Sequence, residues 1–223
     1  MRNPQSVMNS RLRLIILDLK RSWMTALIAP VLTGLLIVYT LKRVVPDSRN
    51  YVFGIRAQQL LTIAFLLWPM LHLKTWFGSK QMESLRAVEN GKHTCSWTLL
   101  LIYMIEAIVL LPFILLAKIL GLNIIKECIL LLLLIAPLTA GLYLLTVITR
   151  SITLAMTIVT IYILFCIIFY NDYMSLRSIM LIKPALENMT WKVVIQYVPI
   201  SLISLVVLII FGKYERKQET IRF

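Results

Sequence analysis

The sequence predicts an all-α integral membrane fold with six crossings, on three observations. Sixty percent of the 223 residues are hydrophobic and the mean hydropathy is +0.85, against about 45–50% apolar for a soluble domain. The excess falls in blocks without formal charge, such as Cys128–Tyr143 and Ile152–Tyr170, which match hydrocarbon and not water. The basic residues flank those blocks, and they give a net charge of +13. Charge placed this way is a topology pattern and not a phosphate-binding stripe, so no nucleic-acid partner is expected.

The chain reads as one transmembrane domain over 1–223, with spans at about 23–41, 60–77, 97–117, 128–148, 152–170 and 193–211. Each is near the roughly 20 residues that cross a hydrocarbon core. The second has blurred edges, with Gln58 and Gln59 at its start and His72 and Lys74 near its end. The first apolar stretch is full length and is expected to stay as an anchor. With the N-terminus inside, 14 of the 23 Lys and Arg lie on the cytoplasmic side and 9 outside. That excess predicts a multi-pass protein of the cell membrane with both termini cytoplasmic. Pro30, Pro69, Pro112, Pro137 and Pro199 fall in five of the spans. They read as ordinary bends or as kinks that permit rocking between two states.

Three segments lie outside the spans. Before the first, Leu12, Ile15, Ile16 and Leu19 form one apolar arc, with Arg11, Asp18 and Arg21 on another side and Ser10 as a cap. This predicts an interfacial helix over 10–22 that turns into the bilayer near Trp23; a plain extension of span one is the alternative. Between spans two and three, Gly78 and Asn90-Gly91 bound a short helix that Ser79 can cap. Lys80, Glu83, Arg86 and Glu89 alternate in sign along it, and Met82, Leu85 and Val88 are its apolar part. It reads equally as a docking element or a solvated loop helix. Between spans five and six, Lys183-Pro184 divides an apolar stretch into 175–182 and 184–191. That pattern suits a short re-entrant helical pair on the outer side.

No catalytic site is expected. Neither Gly91-Lys92 nor Gly212-Lys213 completes a phosphate-binding loop, and there is no nucleophile elbow or His-Glu-x-x-His helix. Cys95, Cys128 and Cys166 have neither metal-ligand nor redox spacing, so no metal is expected. One acid stands inside a span: Glu106. A carboxylate at that depth costs about 2.5–3.5 kcal/mol unless neutral or paired. It reads as a pathway group or as structural glue. Thr153, Thr157 and Thr160 form one stripe on span five, either a helix–helix contact or a pathway lining.

The order of these three segments around six spans resembles the ABC-2 type permease family, the membrane subunits of exporters. The nearest local likeness is "SKQMESLRAVENGKHTCSWTLLLIYMIEA", although Gln81-Met82 stands where the family carries Gly-Thr before the acid. The resemblance implies a cytoplasmic coupling helix that docks on a separate ABC ATPase subunit, carried here by Ser79, Lys80, Met82, Glu83, Leu85, Arg86 and Glu89. It implies a second permease subunit, identical or different, surrounded by membrane lipid. ATP and Mg would be bound by the partner ATPase, with no cofactor in this chain. Export of antimicrobial or toxic peptides, or of another amphipathic substrate, is the implied function. The alternatives are a membrane immunity or regulatory protein without transport, a six-span substrate-capture subunit of a vitamin importer, and an intramembrane enzyme.

Overall fold

The computed structural model describes the backbone of residues 4–78, 95–169 and 190–221 and the side chains of residues 24–77, 95–169 and 190–211. Those residues form helices and no strand. The main helices are α1 (Pro4–Arg43), α2 (Arg49–Arg56), α3 (Thr62–Gly78), α4 (Cys95–Ile119), α5 (Ile125–Thr149), α6 (Ile152–Phe169) and α7 (Trp191–Ile221). A 3₁₀ turn, Pro46–Ser48, leads into α2, and a π-helical turn, Ala57–Leu61, joins α2 to α3. Among the described residues, six stretches are long and apolar enough to cross a membrane: Met24–Arg43, Pro46–Phe77, Cys95–Ile119, Ile125–Thr149, Ile152–Phe169 and Trp191–Phe211.

Consecutive crossings alternate in direction. One end of the bundle, the near end, therefore holds Met24, Phe77, Cys95, Thr149, Ile152 and Phe211. The far end holds Arg43, Pro46, Ile119, Ile125, Phe169 and Trp191. The second crossing and α5 form the centre, with 61% of their most apolar windows buried against 22–28% for the other four. α5 packs on both α6 and α7, and α3 packs on α1 and α5.

Local chemistry sets the turns. α4 ends where Gly121 adopts φ +79°. Its N–H donates to the Lys118 carbonyl at 3.1 Å, and the Leu122 N–H donates to the Ala117 carbonyl at 2.8 Å. This pair of bonds is a Schellman cap, and glycine enters the left-handed conformation without a Cβ penalty. α1 ends under Arg49, which donates to the Val44 carbonyl at 3.2 Å and the Leu41 carbonyl at 2.9 Å. A cation suits the free carbonyls of a helix C-terminus. Between α5 and α6 only Arg150 and Ser151 intervene; Arg150 takes φ 52° and the Ser151 hydroxyl accepts from the Leu154 N–H.

Three expectations need comment. Residues 10–22 are helical, but α1 runs unbroken from Pro4 to Arg43, so no turn sets them apart from the first span at Trp23. Good helix formers and the absence of glycine or proline from Gln5 to Ala29 leave nothing there to end the helix. The second crossing begins well before residue 60, because α2 and the π-turn continue it back to Pro46. Its polar residues lower the local hydropathy, yet Phe53, Gly54, Ala57 and Gln58 are buried against the rest of the bundle. The capped helix over Ser79–Glu89 and the divided segment 175–190 lie outside the described residues.

Candidate functional site

Glu106 sits near the middle of α4, about 17 Å along the helix from Cys95 by the usual rise per residue. It is only 4% exposed, and its Oε2 has no hydrogen-bond partner among the described residues. It lines a small cavity of about 20 Å³ between α1, α3 and α4, together with Ala26, Pro30, Phe65 and Trp68. Trp68 is 5% exposed, and its Nε1 is likewise without a partner. Both residues line the same space, and each carries one buried polar atom without a partner among the described residues.

Two prolines bear on the turns that wall it. A proline has no N–H, so the carbonyl four residues earlier loses its helical donor. For Pro30 that carbonyl belongs to Ala26, and for Pro69 it belongs to Phe65. Both residues line the cavity. Two helices thus bring their weakened turns to one acid. A space of this size admits a single water, which needs two to four polar partners. Such a water would accept from the Trp68 N–H and donate to Glu106. A peptide or lipid is far too large for it.

One turn before Glu106, Tyr103 donates its hydroxyl to the Leu132 carbonyl of α5 at 3.3 Å and lies beside Ser201 of α7. α4 is thereby tied by polar contacts to both sides of the bundle. Such contacts between membrane helices are worth about 0.6 kcal/mol on average.

The sequence does not single out a second buried acid. Glu127, in the first turn of α5, is buried, and its Oε2 has no hydrogen-bond partner among the described residues. A Cβ added at Gly54 of α2 would come within 3.2 Å of the Glu127 Cγ, so the two helices meet closely there. Next to it, the Lys126 ammonium stands 6.0 Å from the ring centre of Trp191. The signal available in the sequence was the acid itself, one residue before the apolar run from Cys128. An acid in a first turn is favoured by the helix dipole.

The threonine stripe does not join this site. Thr153, Thr157 and Thr160 are exposed on the outer face of α6, and the Thr157 hydroxyl donates to the Thr153 carbonyl at 2.9 Å. The coupling residues Ser79, Lys80, Met82, Glu83, Leu85, Arg86 and Glu89 lie outside the described residues. Among the described residues no three His, Cys, Asp or Glu side chains gather into a metal cluster. No family model matches the chain, and neither a curated protein nor a solved structure matches it.

Proposed function

We propose that this chain is the membrane-spanning permease subunit of an ATP-driven exporter of the ABC-2 type. It works in the cell membrane as one of a pair of permease subunits, identical or different. Separate ATPase subunits bind ATP and Mg and drive it through Ser79–Glu89. Both termini are cytoplasmic, and the substrate is a toxic or antimicrobial peptide or another amphipathic molecule.

The observation that carries this reading is one of position. With the six candidate crossings of the described residues, both termini and the connection between crossings two and three belong to the near end. The larger share of the cations, 14 of 23, falls at that same end. A charged segment bounded by Gly78 and Asn90-Gly91 is then presented on the side where the basic excess puts the cytoplasm. The exposed Thr153, Thr157 and Thr160 offer small hydroxyl side chains to a second permease subunit. Glu106 acts inside its own bundle, at the joint of α1, α3 and α4.

The test is affinity purification of the tagged chain from its own cells in mild detergent. An ATPase subunit with a phosphate-binding loop is expected to come with it. Replacing Glu83, Leu85 and Arg86 by alanine together should lose that subunit while leaving the chain in the membrane. Full activity of a chain isolated with no ATPase would end the permease reading.

A further inference from the structure

A groove of about 310 Å³ opens on the outer surface of the bundle, between α1 and the second crossing. Leu36 and Leu61 form its floor, the latter only 1% exposed, while Leu35 and Leu60 stand exposed along its walls. Tyr39 and Arg56 also line it, and they are its polar groups. The volume lies within the range of small-ligand sites, about 300–1,000 Å³.

The depth of Arg56 decides what can fill this space. About 30 Å of helix separates Arg56 from Phe77 at the near end, which is the thickness of a hydrocarbon core. The guanidinium therefore stands at the far-end interface, with the leucines below it in the apolar layer. Tyr39 has the amphipathic ring favoured at such a boundary. Arg56 is exposed, donates from Nη1 to the Gln59 Oε1 at 3.2 Å, and makes no ion pair among the described residues. An apolar trough in the bilayer that ends in an unneutralised guanidinium complements one kind of molecule.

We infer that the groove binds an anionic glycerophospholipid in the far-end leaflet. The phosphate would sit on Arg56, where the planar fork can give two hydrogen bonds, and one acyl chain would lie on Leu36 and Leu61. A headgroup with net negative charge is favoured over a zwitterionic one, because it brings no ammonium to compete for the same phosphate. A second copy of this chain fits less well, since a packed helix would have to bury the charge of Arg56. The inference does not depend on transport.

The experiment uses the full chain in phosphatidylcholine nanodiscs with and without phosphatidylglycerol, followed by extraction and native mass spectrometry. The wild type is expected to retain phosphatidylglycerol in preference to phosphatidylcholine. Arg56→Gln should lower that retention about tenfold, as expected for removal of a charge-assisted hydrogen bond, and Arg56→Lys should fall between. Leu60→Trp, at a residue 52% exposed, should block the trough and lower retention with the bundle still helical by circular dichroism. Equal retention by the wild type, Arg56→Gln and Leu60→Trp would overturn the inference. So would the absence of any preference for phosphatidylglycerol, equal displacement of the retained lipid by added glycerol phosphate without acyl chains, or extraction of the chain as a dimer that holds no lipid.

Discussion

Glu106 and Trp68 lend themselves to a double-mutant cycle. The perturbations are Glu106→Leu, which removes the acceptor with little change in volume, and Trp68→Phe, which removes the indole N–H. Each side chain is buried and lines the same 20 Å³ space, and each has one polar atom without a direct partner among the described residues. Two groups that share one water lose a common hydrogen-bonded link when either is removed. The coupling between them should then be about 1 kcal/mol, within the roughly 0.6–1.7 kcal/mol known for polar contacts between membrane helices. Groups that share nothing add to within about 0.3–0.5 kcal/mol. The assay is reversible unfolding in mixed dodecyl sulfate micelles, followed by circular dichroism so that loss of a tryptophan does not alter the probe. Glu106→Gln keeps an acceptor and should preserve most of the coupling to Trp68→Phe. Additive losses in the Glu106→Leu and Trp68→Phe cycle would refute the shared water.

Other expectations follow from burial and geometry. Leu99 is fully buried in the cluster that joins α3, α4, α5, α6 and α7, so Leu99→Ala should cost about 2–5 kcal/mol, measured in the same unfolding assay. Cys95, Cys128 and Cys166 are all buried; none should take up a maleimide reagent in the folded chain, and all three should do so after denaturation, as read by intact mass. Changing Thr153, Thr157 and Thr160 to valine together should move the stability of the isolated chain by less than about 0.5 kcal/mol per site, because all three are exposed. The same triple change should lower self-association measured by energy transfer between labelled chains in liposomes, if α6 faces a second copy.

How much of this was legible beforehand varied with the kind of signal. Crossings made of uncharged runs, such as Ile152–Phe169, were readable to within a residue or two, because hydropathy alone defines them. The second crossing was not. Asp47, Arg49, Arg56, Gln58 and Gln59 resemble a solvated loop in any window average. Tertiary packing overrode that: Phe53 and Gln58 are buried, and Arg49 spends its charge on the end of α1. Glu106 was visible as an acid at mid-depth. Its companions were not, because Trp68, Ala26 and Phe65 come from other helices and carry no local mark of convergence. Their meeting is a product of the α1, α3 and α4 packing. Glu127 carries no local mark either, because it stands at the edge of an apolar run, where acids are common; its burial and the close approach of Gly54 show that it is enclosed.

The unbroken α1 has a mechanical consequence. At the usual rise its 40 residues extend about 60 Å, roughly twice the hydrocarbon thickness. Pro30 lies about 39 Å from the Pro4 tip and about 20 Å from Arg43. The helix is therefore a lever with unequal arms, its fulcrum beside the Glu106 cavity. Bending by about 10° at that proline would carry the tip through about 7 Å, and the short arm through about half as much. A rearrangement too small to admit more than one water at Glu106 would thus reach the near end as a displacement larger than a helix turn. Conversely, a force on residues 4–23 would arrive at the acid geared down, with its leverage doubled.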